Sequence, residues 1–114
     1  MKQIRFYQII TAISCLFLIS CGIEQNLKKA DKHLSLGEYY DAATQYKKVY
    51  TKTPTKERAA RGKVALKMAR CYDKINSTPK ALAAYSNAIR YKQADLNDRL
   101  AYARLLLKNG SYRQ

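Results

Sequence analysis

Hydrophobic and polar positions follow two regimes along the chain. From Phe6 to Ile19 the residues run apolar, broken only by Tyr7, Gln8, Thr11 and Ser14, behind the positive start Lys2 and Arg5. No acidic residue occurs before Glu24, where the sequence turns polar and the pattern changes. Beyond it, apolar residues return at helical spacing, as in Val64, Met68, Tyr72 and Ile75, the signature of one buried helix face. The pattern and its punctuation predict helices near 23–36, 39–52, 55–75, 78–91 and 95–109, and no strand. Gly37 and Gly110 suit the left-handed residue that closes a helix, and Thr78-Pro79 suits an N-cap followed by Pro at the first helical position.

The helical part repeats. Gly37-x-Tyr39-x-x-Ala42-x-x-x-Tyr46-x-x-Val49 returns as Asn76-x-Thr78-x-x-Ala81-x-x-x-Tyr85-x-x-Ala88, and Gly110-x-Tyr112 opens a third copy 34 residues after Asn76. Met68-Ala69-x-x-Tyr72 returns as Tyr102-Ala103-x-x-Leu106, again 34 residues on. With this period and these motifs, residues 23–114 resemble a tetratricopeptide repeat array. The resemblance implies an all-α fold of helical hairpins, about 2.5 repeats at 23–54, 55–93 and an incomplete 95–114. Its core positions fall on Ala42, Tyr46, Ala69, Tyr72, Ala81, Tyr85, Ala88 and Ala103. Alanines let the two helices of a hairpin approach, and tyrosines one turn later fill the groove between hairpins. The chain departs from the family where His33 ends a poor first-helix motif, where Trp is missing and where Gln93 replaces a frequent Pro. The first two copies are 39 residues apart (42 to 81), which implies an insertion of five residues lengthening the helix that starts near Thr55. The last first-helix would leave Leu100, Ala103, Leu106 and Leu107 uncovered, whereas solenoids cap such a face. A fragment of a longer reading frame is therefore expected, with cover by a partner as the alternative.

The opening segment has the layout of a bacterial export signal and is short of the roughly 20 apolar residues that span a bilayer. Leu18-Ile19-Ser20-Cys21 resembles the lipobox of bacterial lipoprotein precursors. The resemblance implies a signal peptide over 1–20, a lipidated N-terminus at 21–22 and a diacylglyceryl thioether plus an acylated amine on Cys21. Such chains anchor at about 0.8 kcal/mol per buried CH₂. An ordinary Cys near an unlipidated signal is the plain alternative. Cys15 leaves with the signal, so only Cys71 remains in the folded part, where no intramolecular disulfide is possible and a small buried hydrophobe is expected rather than a nucleophile.

Composition then limits the chemistry. The 114 residues carry one His, and no Gly-rich phosphate loop, apolar carboxylate pair or Cys cluster occurs. No enzymatic activity, metal or cofactor is expected, and His33 reads as an ordinary helix residue. Charge is the stronger signal, with 22 basic residues against 8 acidic ones and a net +14. Nine basic residues lie between Lys47 and Arg70 against Glu57 alone, and Lys56, Lys63, Lys67 and Arg70 share one helix stripe. In tetratricopeptide arrays the first helices line a concave ligand surface. Carried over by register, the resemblance places Lys63, Leu66, Arg70, Lys74, Leu100, Arg104 and Lys108 on it. Arg70 and Arg104 would stack, suiting an acidic or carboxylate-bearing polypeptide. A solvated basic face is the plain reading of the same charge. Export argues against nucleic acid, while anionic lipid or lipopolysaccharide is a fair competitor.

A lipobox followed by a Tyr- and Lys-rich array, with residues 39–50 and Met68-Ala69-Arg70-Cys71-Tyr72, is similar to the start of outer-membrane lipoproteins of Bacteroidota in which such repeats precede a β-propeller and an OmpA-like domain. The resemblance implies a lipid-anchored, periplasm-facing scaffold for other envelope proteins, some of them serving type IX secretion. Peptidoglycan binding would require a further C-terminal domain. The other classes left open are a barrel-assembly-type adaptor and a glycan-binding nutrient lipoprotein.

Overall fold

The computed structural model describes residues 8 and 22–110. The expected signal peptide over 1–20, Cys21 and the third-copy Tyr112 lie outside the described residues. The described part is all-α: α1 over 22–35, α2 Tyr39–Lys52, α3 Arg58–Lys74, α4 Thr78–Arg90 and α5 Leu96–Lys108, with no strand among these residues. Successive helices pack on one another, α2 on α3, α3 on α4 and α4 on α5, so the chain builds an array of antiparallel hairpins. Among the described residues no helix is long and apolar enough to cross a membrane.

Two kinds of helix end set the array's rhythm. At Gly37, Asn76 and Lys92 the backbone turns left-handed, with φ of 74°, 58° and 59°. The next residue's N–H then reaches back to the helix, as Glu38 to His33 O, Ser77 to Tyr72 O and Gln93 to Ala88 O, at 2.9, 2.9 and 3.0 Å. This pairing satisfies carbonyls that a helix end otherwise leaves open. The Gly37 and Gly110 expectation holds, and Asn76 fills the same position with a side chain that tolerates the left-handed region. The end of α2 differs because Pro54 holds Thr53 extended, at φ −72° and ψ 126°. Thr53 bonds Val49 O through both its N–H and its hydroxyl, and Glu57 N–H closes a turn on Pro54 O at 3.0 Å.

That turn moves the start of α3 from the expected Thr55 to Arg58, although at 17 residues α3 is the longest helix among the described residues. A second boundary also differs. Ser77 rather than Thr78 stands at the N-cap of α4, with no side-chain cap bond, and Pro79 is the second helical residue, still within the first turn where a missing N–H costs nothing.

The core alternates small and large groups. Ala30, Ala42, Ala69, Ala81 and Ala88 are wholly buried, and between them lie Tyr46, Tyr72 and Tyr85, at 0, 7 and 3% exposure. Such rings remove large apolar areas from water while alanines keep the helix axes close. One expected core position fails. Ala103 is exposed, and Leu105 is the buried apolar residue of α5, with Ala101 and Tyr102 packed beside it. No described helix covers the other side of α5, so Leu96, Leu100 and Leu107 remain more than half exposed there.

Gly62 lies in the interior of α3, pressed against the segment between α4 and α5. A Cβ at this position would stand 2.7 Å from Tyr91 Cβ and 2.5 Å from Gln93 Cγ. Replacement of a helical Gly by Ala ordinarily stabilises by up to about 1 kcal/mol. Here Gly62→Ala is expected to destabilise by about 1–2 kcal/mol, because overpacking costs of about 1–3 kcal/mol exceed that gain. Urea unfolding midpoints of the two proteins check the sign.

Candidate functional site

The odd-numbered helices lie side by side and are tied by ion pairs across one surface. The first tie grows from a buried phenol. Tyr46 on α2 is fully buried, so its hydroxyl needs a partner inside the fold. It donates to Asp31 Oδ1 on α1, and burial first, then that bond, raises the phenol's pKa well above its ordinary value. The same Asp31 oxygen accepts from Lys67 Nζ on α3 at 3.2 Å, and the ammonium also stands 5.4 Å from the Tyr46 ring centre. One carboxylate thus registers three helices.

The second tie joins α3 to α5. Arg70 Nε and Nη2 donate to the two oxygens of Asp98, at 3.1 and 3.0 Å, the forked geometry that suits guanidinium and carboxylate. The Asp98 side chain is only 6% exposed. It also accepts from Asp95 N–H at 3.1 Å, while Asp95 accepts from Asp98 N–H at 2.8 Å. This reciprocal pair caps α5, satisfying two of the donors at its open end. The hydrogen bond from the Asp98 backbone N–H, above all, holds the Asp95 carboxyl below the usual carboxylate range. Further along, Arg104 Nη2 donates to Asp73 Oδ2 at 3.1 Å, a looser and more exposed contact.

These pairs change the picture of the expected ligand surface. Arg70 and Arg104 both face the neighbouring odd helix, and each is engaged by a carboxylate of this chain. Leu66, expected to face a ligand, is half-buried against the core. Leu100 is 58% exposed. Lys63, Lys74 and Lys108 are exposed and make no ion pair or ring contact among the described residues. Cys21 lies outside the described residues, so its lipidation has no geometry here. The partners Asp31, Asp73 and Asp98 escaped sequence reading because an acid's place across a groove depends on helix register. The Asp95-x-x-Asp98 spacing before a Leu-rich run, a capping signature, was the readable part.

Other groups with chemical potential are few. Cys71 is a free, buried thiol whose pKa burial pushes up, which keeps it protonated and unreactive. His33, Glu38 and Asp41, around the first hairpin turn, place donor atoms within 4.8 Å of one another. His33 Nδ1 already donates to Glu38 Oε2 at 2.6 Å, locking the turn that Gly37 opens. A third cluster is cationic and aromatic: Arg61 stands 4.1 Å from the Tyr50 ring centre and donates to Thr53 O at 2.8 Å, while Arg58 and Arg90 flank Tyr91. It fastens the α2–α3 connection to the end of α4.

Comparison with protein-family models, with curated proteins and with solved structures finds no match to this chain.

The two arginine ties are expected to differ in weight. Arg70→Ala strands a nearly buried carboxylate and is expected to cost about 2 kcal/mol, whereas Arg104→Ala, at an exposed pair, is expected to stay within about 0.5 kcal/mol of the parent. Chemical denaturation of both variants checks this ranking. Acid should also loosen α5. The Asp95 carboxyl is more readily ionised folded than unfolded, so its contribution is whole above the unfolded value of about pH 4 and is lost as pH falls through the lower folded one. Asp95→Asn keeps a capping oxygen without the titration. It is expected to flatten the acid loss of helical circular dichroism below about pH 4.

Proposed function

We propose that this chain is a lipid-anchored scaffold of the outer membrane, facing the periplasm, whose tetratricopeptide-type array holds other envelope proteins. An envelope or type IX secretion assembly is the setting in which such an anchor and such an array act together. The observation that carries the reading is the continuous surface made by α1, α3 and α5. Its helices are registered by Asp31–Lys67, Arg70–Asp98 and Asp73–Arg104, and Lys63, Lys74 and Lys108 are among the cations that no carboxylate of the described residues engages.

A surface of that kind favours an acidic polypeptide segment, since steering by uncommitted lysines costs no internal ion pair. Arg70 then acts as a structural clamp, and the exposed Arg104, held at one point only, is the arginine a partner's carboxylate can share. The connections between described helices, at 36–38, 53–57, 75–77 and 91–95, are short, which favours helix-face recognition of proteins over glycan capture by long loops.

The test is site-directed photo-crosslinking in cells of origin, with the reactive residue at Lys63, Lys74 or Lys108 and, as control, at Ser86 on the exposed side of α4. One envelope protein is expected to cross-link from the odd-helix positions and not from Ser86. Cross-links confined to Ser86 would overturn the assigned face. Intact mass of the protein extracted from membranes tests the anchor separately: loss of residues 1–20 with added acyl groups on Cys21 is expected, and a mass without acyl groups removes the lipoprotein reading.

A further inference from the structure

We propose that Lys47, Lys48 and Lys52, at the end of α2, form a membrane-facing patch that takes the phosphates of anionic lipid headgroups. The inference rests on the anchor reading above and adds to it the face that meets the bilayer.

Position is the first support. Antiparallel packing returns the end of α2 to the start of α1, and Lys52 Nζ stands 3.8 Å from where a Cβ on Gly22 would lie. Gly22 is the residue next to Cys21. An acylated Cys21 therefore brings Lys52 to the interface with it, and Lys48, one turn earlier, follows about 6 Å behind along the axis. Both distances are within the roughly 10 Å over which charges act at moderate salt.

Availability is the second support. The buried side of α2 is Ala42, Ala43, Tyr46 and Val49, and the opposite side exposes Thr44, Lys47, Lys48, Thr51 and Lys52, which line a shallow groove. Part of the fold's positive charge is engaged internally, since Lys67, Arg70 and Arg104 pair with carboxylates while Arg58, Arg61, Lys80 and Arg90 lie over tyrosine rings, whereas Lys63, Lys74 and Lys108 stay free on the other surface. Among the described residues none of the three α2 lysines does either. The single acid of α2, Asp41, is at the far end of the helix. Thr44 and Thr51 turn their hydroxyls onto Tyr40 O and Lys47 O of the same helix, at 3.0 and 2.8 Å. The ammonium groups are thus the donors left to a ligand, and they suit phosphate as unoriented point charges.

The probe is the acylated protein reconstituted into vesicles of phosphatidylcholine alone or of phosphatidylcholine with phosphatidylglycerol, treated with a water-soluble amine reagent and read by mass spectrometry. In the anionic vesicles, labelling of Lys47, Lys48 and Lys52 is expected to fall several-fold relative to Lys63 and Lys74. It should return at about 1 M salt, where the screening length shrinks to about 3 Å. Equal labelling of the two sets in both vesicle types overturns the proposal and leaves the α2 face to a protein partner. The same spectra report acylation, so failure of the anchor is seen independently. Should acyl groups be absent, cosedimentation of the protein with anionic vesicles still decides: K47Q/K48Q/K52Q is expected to weaken partition about 100-fold, at about fivefold per lysine, and an unchanged partition overturns the patch.

Discussion

A phenol with no access to water constrains the first half of this fold. Tyr46 must be deep to fill the space between hairpins, and once deep its hydroxyl must be satisfied, because an unpaired buried donor costs about 1–3 kcal/mol. Asp31 supplies the acceptor, and a carboxylate so placed in turn needs a cation, which Lys67 provides. Packing, hydrogen bonding and charge are thus linked through one residue on each of α1, α2 and α3. A slide of α3 by one turn would take Lys67 away from both the carboxylate and the ring, leaving Asp31 without its cation. The second half has Tyr85 in the matching place, among Asp73, Asp98, Arg70 and Arg104, and there the register is held by the Arg70 fork and the single Arg104 contact instead of a phenol bond.

The array is legible in the sequence because its causes are local. Apolar spacing, left-handed residues at Gly37 and Gly110 and the Ala-x-x-x-Tyr steps act over a few residues, and the helix positions they predict agree closely with those found. Failures occur where a neighbour decides. Pro54 reads as a stop, yet only the turn that Glu57 closes shows that α3 waits until Arg58. Ala103 occupies the register of the buried Ala69, but burial belongs to whatever packs opposite, and no described helix does so. Gly62 looks like a weak point inside a helix until Tyr91 and Gln93 are seen against it.

The candidate surface was legible only in its cations. Nothing local tells that Arg70 meets an acid 28 residues away while Lys63, on the same helix, meets none among the described residues. This matters for reading a net charge of +14. A good share of it is spent inside the fold, on three inter-helix carboxylates and on tyrosine faces, where a guanidinium or ammonium gains about 0.5–1 kcal/mol at an exposed site. Ten tyrosines and 22 basic residues are therefore partly one feature. The charge left for partners is smaller than the total and is better located.

That location separates two surfaces by their chemistry. The odd helices carry cations interleaved with carboxylates, a mixed surface on which a partner must match both signs and therefore one that discriminates among proteins. The end of α2 carries cations with hydroxyls turned inward, the helix's own acid, Asp41, lying at its other end, a surface that suits a fluid array of phosphates. Antiparallel hairpins place that undiscriminating end beside Gly22 and extend the mixed surface away from it through α3 and α5. Selectivity thus increases along the array from its first residues, which is what the proposed anchored scaffold would require to hold a membrane and a protein without confusing them.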